Sequence, residues 1–325
     1  MKTLFKLFLQ KFHGPIDVIF SFLIIPAAYF LLLYRRIGSG ALPKTTLRLK
    51  NIGVFPIRNH YYEPLFDDRL ISVPLNKERL LPGIDFDIPS QLALLNKFSY
   101  SNELISLSLD KPSTGAESFC INNDSFESGD AEFLYQLIRH FKPAKVLEIG
   151  SGQSTKITRI ALQKNQSETN VTYKHICIEP YEQPWLENLN GITLIRDLIE
   201  DCKLDWSKEL IAGDLLFVDS SHVIRPQGDV LKEYLEIFPQ LNPGVIIHVH
   251  DIFTPRDYLK SWVVDEVKFW NEQYLLEALL SNTDRYEIVA ALNLLKHDHY
   301  NELKEVCPYL SENREPGSFY IRVKS

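Results

Sequence analysis

The sequence predicts an α/β domain built on a doubly wound, mostly parallel, seven-stranded sheet, with a membrane helix and an irregular cap region before it. Three observations predict the sheet. From Gly129 onward seven short apolar runs recur, and helical stretches separate the first five. Strands alternating with helices form parallel sheets covered on both faces. The first run passes into a turn of small residues, Gly150-Ser151-Gly152, and then into a helix. The second run ends in an acid, Glu179, about thirty residues after that turn.

Composition sets the limits. A hydrophobic fraction of 45% over 325 residues supplies a sizeable core. The net charge of −7 carries no basic footprint for nucleic acid. Cys120, Cys177, Cys202 and Cys307 are far apart and form no CxxC pair, which speaks against zinc and against a disulfide framework. Nothing in the sequence sets an oligomeric state.

Residues 1–37 read as a membrane anchor. Ile16 to Tyr34 is apolar except for Asp17 and Ser21. Lys2, Lys6 and Lys11 precede it, and Arg35 and Arg36 follow it directly, which does not suit a cleaved signal peptide. A spanning helix needs ~20 apolar residues, and Pro26 is expected to kink this one. Two anchors fit, a single span with basic residues on the cytoplasmic side and a re-entrant helix. For the second, Ile16-Asp17, Ser21, Pro26 and Arg35-Arg36 resemble the re-entrant helix of bacterial phosphoglycosyl transferases. Either places the bulk of the chain in the cytoplasm at the inner membrane.

Residues 38–128 read as a linker and an accessory cap. Gly38 to Lys50 is polar and basic, a linker or a membrane-surface segment. Pro56, Pro64, Pro74, Pro82, Pro89 and Pro112 make the following stretch irregular. Residues 129–325 read as one domain. Asp130 is placed to cap a helix with Phe133, Leu134, Leu137, Ile138 and Phe141 on its apolar face, ended by Pro143. The strands expected are Lys145–Ile149, His175–Ile178, Ile192–Ile195, Leu215–Val218, Val245–Val249, Tyr286–Ala290 and Ser318–Val323, with Gly317-Ser318 suited to a hairpin-like return. Trp262 to Leu280 reads as one helix, with Asn271, Glu272 and Gln273 toward a ligand and Lys296–His299 on a solvated face.

Ligands of open α/β sheets bind beyond the strand ends. Glycine permits positive φ and close approach there. The turn lacks full GxGxxG spacing, because Thr155 holds the third position after Gly152, so a dinucleotide pyrophosphate is disfavoured. A carboxylate at Glu179 suits the two hydroxyls of a ribose, and one of the acids Asp197, Glu200 and Asp201 suits the region of a base. The ordered set Glu148-Ile149-Gly150-Ser151-Gly152, Glu179 and Asp219 resembles the successive motifs of class I methyltransferases, over residues 129–325. That resemblance implies S-adenosyl-L-methionine as donor. It implies that Glu148 orients the methionine end, that Gly150 and Gly152 line methionine and ribose with Ser151, Ser154 and Thr155 beside them, and that Glu179 holds the ribose.

Two strand ends point at the chemistry, Asp219-Ser220-Ser221-His222 and His248-Val249-His250-Asp251. Strand alternation puts His248 and His250 on one face, with His248 expected in the core. Methyl transfer to oxygen needs alignment and removal of a proton, and His222 and His250 are the candidate bases, with Asp251 beside them. The alternative is a divalent cation such as Mg²⁺ that lowers the acceptor's pKa. Asp219 and Asp251 resemble the metal-binding acids of catechol-type O-methyltransferases, although that type continues into Asp-Asn where this chain has Asp251-Ile252. Cephalosporin-hydroxylase-like relatives are similar in the Asp-Ser-Ser-His element. Val54–Arg58, Asp219–His222, His248–Phe253 and Trp270–Tyr274 together resemble uncharacterised bacterial methyltransferases of surface-polysaccharide and glycolipid type. The expected activity is O-methylation of a sugar or lipid-linked glycan at the membrane. Two rivals stand beside it: another nucleotide-binding α/β enzyme, hydroxylase-like or acting on a nucleotide sugar, and a non-catalytic donor-binding membrane scaffold.

Overall fold

The computed structural model describes residues 2–111 and 117–324, with side chains from residue 13 onward. Pro112 lies outside the described residues. Two compact units divide the chain, Met1–Ser72 and Val73–Ser325. Residues 73–128 belong to the unit that holds the sheet.

In the first unit, helix α1 spans Lys2–Ile37 and runs unbroken through Pro15 and Pro26. Its stretch His13–Ile37, 25 residues, is long and apolar enough to cross a membrane. At 1.5 Å per residue it reaches ~37 Å, against a hydrocarbon thickness of ~30 Å. Helix α2, Pro43–Ile52, starts on a proline whose missing N–H costs nothing there. It ends at Gly53, whose φ of +85° closes it. The Tyr34 hydroxyl meets Thr46 Oγ1 at 2.6 Å and ties α2 to the end of α1.

The second unit begins with two short helices, α3 (Ile88–Leu95) and α4 (Ser101–Ser106). Helix α5, Asp130–Phe141, follows. Its start is capped by Glu132, which accepts from Gly129 N at 2.9 Å and Ser128 Oγ at 3.0 Å. Asp130 is not the cap: it turns away to accept the N–H groups of Gly317 and Ser318. Then come β1 (Lys145–Ile149), α6 (Gln153–Thr169), β2 (Lys174–Ile178), β3 (Thr193–Ile195), α7 (Trp206–Glu209), β4 (Leu215–Val218), α8 (Asp229–Lys232) and β5 (Ile246–Val249). Helix α9 (Glu272–Leu280), β6 (Tyr286–Ala291), α10 (Leu292–Asp298), α11 (Tyr300–Val306) and β7 (Phe319–Val323) complete it.

The sheet order is β3-β2-β1-β4-β5-β7-β6. Strands β1 to β5 pair in parallel, and β7 runs antiparallel to both β5 and β6. No hairpin precedes β7. The chain builds α10 and α11 after β6, and β7 then inserts between β5 and β6. Side chains alternate as the period of two requires. Val146, Leu215, Phe217, Ile246 and Tyr320 face one core with α5 and α6. Leu147, Val218, Ile247, Val249 and Phe319 face the other. A fully buried Phe217 contributes ~1.5–3 kcal/mol by the area it removes from water.

The order reverses between β1 and β4, one neighbour leading to β2 and the other to β5. A crevice opens at the carboxyl ends of strands at such a point. Asp214 sets the start of this pair, accepting Lys145 N at 2.8 Å and Ile211 N at 3.0 Å.

Candidate active site

The turn after β1 is built around one contact. Gly150 has φ +79°, and a Cβ on it would lie 1.7 Å from the carbonyl oxygen of Asp219 at the end of β4. Only glycine fits. Asp219 N donates to Ile149 O at 2.8 Å and Gly150 N to Ile178 O at 3.0 Å, so three strand ends lock together here. Gly152 differs. Its φ of −165° is extended backbone, and a Cβ there would meet nothing within 4 Å. It leaves an open space beside the first turn of α6.

Glu148 is fully buried in β1 and lies beneath the turn. Thr155 Oγ1 donates to it, and Gly152 N donates to Thr155 Oγ1 at 3.1 Å. His175 Nε2 lies 3.4 Å from its other oxygen. Glu179 at the end of β2 accepts Ser151 N at 3.3 Å, Tyr181 N at 3.0 Å and Glu182 N at 2.8 Å. Ser151 and Ser154 are buried beside the turn, and the Ser151 hydroxyl has no hydrogen-bond partner. Asp197 is exposed just past β3.

Past β4 and β5 the structure brings together what the sequence kept thirty residues apart. His222 Nε2 lies 3.2 Å from Asp219 Oδ1 and 3.4 Å from Asp251 Oδ2. Its Nδ1 lies 2.9 Å from Oε2 of the fully buried Glu272. His250 Nε2 stands 3.6 Å from Asp251 Oδ1. His222 and Asp251 both have positive φ, +59° and +57°, a strain that surrounding contacts must hold. Those contacts are visible. Ser221 binds Asp229 through its N–H (2.9 Å) and hydroxyl (2.7 Å), Ser220 Oγ reaches Glu233 at 3.2 Å, and His222 O accepts the N–H groups of Asn271 and Glu272. Trp270 packs on the His222 ring at 4.4 Å.

The charges follow from this packing. Burial by itself would lower His222. Hydrogen bonds to Asp219 and Glu272 and the Asp251 charge outweigh it and raise the imidazole well above its ordinary 6.5. His250 is likewise raised, burial being overcome by Asp251, Asp219 and Asp130. Burial would raise Asp219, but the two histidines bring it below its usual value. His248 is the opposite case. Burial, with His250 nearby, lowers it well below 6.5. It stacks on Tyr320 at 4.5 Å and meets Phe217 edge-on at 4.3 Å, and neither ring nitrogen has a hydrogen-bond partner. It is a core residue, as expected, though an unsatisfied one.

A cavity of about 510 Å³ opens on His250 and Asp251. Asp130, Phe253, Lys260 and Trp262 are among its walls. Its outer side corrects one expectation: 262–280 is not one helix. A single wide turn, Ser261–Asp265, is followed by Val267 at φ +54°, and α9 starts only at Glu272. β-Branched Val263, Val264 and Val267 hold a helix poorly, and aromatic packing takes over. Trp262 meets Trp270 edge-on at 5.0 Å and Phe253 at 5.3 Å. Glu272 and Gln273 do not face the cavity. Both are fully buried, and Gln273 holds Phe253 N and Arg256 O. Nor is 296–299 simply solvated, since Lys296 and His297 both pair with Glu315.

Glu272 is the residue the sequence misassigned. It lies 50 residues from His222, and no spacing connects them. Among the described residues, two groups have ligand atoms within 4.8 Å of one another, Asp219-His222-Asp251 and the buried Glu148-His175-Cys177. In the first, Asp251 lines the cavity.

The glycine turn lies at the switch point of an α/β sheet, where such sheets bind ligands, and the acid–histidine cluster stands beside it. Residues 147–252 match the family described as a methyltransferase domain. An uncharacterized protein of Archaeoglobus fulgidus is 30% identical over 173 residues, 48% of this chain and 74% of that one. The chain belongs to one family with it. Two solved structures are similar at lower identity. The plantazolicin methyltransferase BpumL, in complex with a triazolic desmethylPZN analog and SAH, is 13% identical, with a TM-score of 0.38 over 73% of this chain and 96% of that chain. A putative methyltransferase from Thermobifida fusca is 14% identical, with a TM-score of 0.38 over 75% and 98%. The protein is a methyltransferase, and S-adenosylmethionine is the donor expected of it.

Proposed function

We propose that this chain transfers a methyl group from S-adenosylmethionine to a hydroxyl oxygen of a sugar or lipid-linked glycan at the cytoplasmic face of a membrane. One observation carries the reading. Asp219 touches the glycine turn by its carbonyl and His222 by its carboxylate, and Asp251 joins His222 to His250 at the cavity wall. The reacting groups therefore stand between a donor cradle and an acceptor cavity.

The residues fit the donor. The space a Cβ on Gly152 would enter is open, and the Ser151 hydroxyl is buried without a partner. Glu179 and Asp197 stand past the next two strand ends for the ribose and the adenine, and Glu148, Thr155 and Ser154 fix the turn. S-adenosylmethionine held there would supply a methyl carbon on a cationic sulfur and, once the acceptor oxygen had taken that carbon, would leave as the neutral thioether. The hydroxyl proton goes to His250, with Asp251 beside the imidazolium that forms. The carboxylates that raise His250 make it a stronger base once deprotonated. The polar walls, with Trp262 among them, suit a hydroxylated ring. The apolar α1 favours an acceptor held at a membrane.

A second reading has its own observation. Glu272 engages Nδ1 of His222, as acids do behind metal-bound histidines, and leaves Nε2 toward Asp219 and Asp251. A divalent ion would be held there by these three residues and would lower the acceptor's pKa. Mg²⁺ prefers an all-oxygen shell, which favours a proton on Nε2.

The test is transfer of labelled methyl from S-adenosylmethionine to membrane glycan fractions by the full chain, with and without chelator. D251A is expected to abolish transfer and keep binding of S-adenosylhomocysteine. Unchanged transfer by D251A would remove the assigned chemistry, and loss with chelator would favour the ion.

A further inference from the structure

Residues 35–58 carry six basic side chains and no acidic one. Arg35 and Arg58 pair with Glu63. Arg36, Lys44, Arg48 and Lys50 are exposed and have no ion pair among the described residues. Helix α2 is tied down on one side only, where Thr46 binds Tyr34, Ser39 O and Leu42 O. Its outward face is Lys44, Leu47, Arg48, Asn51 and Ile52, spaced i, i+3, i+4, i+7 and i+8, and all five are exposed. Leu47 is 60% exposed and Ile52 74%. The exposed apolar surface continues past Gly53 through Val54, Phe55 and Ile57 to Tyr61 and Tyr62.

Bases without an ion pair alternate here with large apolar and aromatic groups, whose exposure to water is unfavourable. They are the composition of a segment lying in the headgroup layer, where tyrosines gather and bases meet anionic lipid. The position agrees, because α2 begins six residues after the apolar helix ends at Ile37. Continuity with that helix separates a lipid surface from a nucleic acid as the polyanion. We propose that α2 and residues 54–62 form a membrane-surface seat selective for anionic headgroups. The proposal rests on reading α1 as the membrane anchor.

The test is hydrogen exchange of the full chain in nanodiscs, of phosphatidylcholine alone or with 30% phosphatidylglycerol. Amides 43–57 should exchange at least about tenfold more slowly in the anionic discs. K44Q/R48Q/K50Q should remove that difference, each base contributing roughly fivefold. Equal exchange of 43–57 in both discs, with α1 protected, overturns the seat and keeps the anchor. Exchange of α1 as fast as in free solution overturns the anchor and the seat with it. A difference that survives K44Q/R48Q/K50Q overturns the role of these bases. Protection of 43–57 by added RNA in neutral discs overturns the assignment to lipid.

Discussion

Alanine at Gly150 and alanine at Gly152 should have opposite consequences, although the two glycines are one residue apart. At Gly150 the new Cβ would lie 1.7 Å from a backbone oxygen, and the φ of +79° suits no L side chain. The left-handed conformation alone costs ~1–2 kcal/mol. Relieving the overlap must part β1 from β4, whose end is held by Asp219 N on Ile149 O, so the total should exceed ~3 kcal/mol. For a domain of this size that is a fall in Tm of roughly 6–12 °C. At Gly152 the Cβ enters open space and displaces no neighbour, and the loss of stability should stay well below that of G150A. That open space is the proposed donor cradle, so G152A should raise the Kd for S-adenosylhomocysteine at least tenfold, ~1.4 kcal/mol. Thermal melts and calorimetric titration read both effects. Wild-type affinity in a well-folded G152A protein would refute the cradle. An unchanged Tm in G150A would refute the close approach.

Three further outcomes follow from the packing. E272L removes one of the three carboxylates that face the buried His222, and denaturant unfolding should show a loss of about 1–3 kcal/mol, with E272Q losing less. The raised pKa of His222 gives pH dependence of a defined sign. Its folded value lies above the unfolded ~6.5, so its stabilisation is complete below that pH and fades as pH rises through the folded value. The stability gap between wild type and H222Q, measured by urea melts, should be wider at pH 6 than at pH 9; a gap that widens with pH contradicts the charged imidazole. D214A frees two backbone N–H groups at the start of β1 and β4, and should cost about 2 kcal/mol in the same assay without changing donor affinity.

The sequence by itself determined the strands and the glycine turn after β1. Apolar runs bounded by turns place β1 and β4 to the residue, and a glycine between a strand and a helix can be read as a close approach, because both signals are local. Locality also explains what it could not give. Which glycine the fold requires depends on Asp219, 69 positions on, and Gly152, which looks the same in sequence, is not held by any such contact. The break at Val267 required knowing that Trp262 and Trp270 would pack on each other and on Phe253. The place of β7, inside the sheet between β5 and β6, is set by pairing across the whole chain. Glu272 reads as an ordinary first-turn acid of α9. Only tertiary packing drives it against His222 and excludes water from both, and the hydrogen bond made there helps raise an imidazole that burial alone would lower.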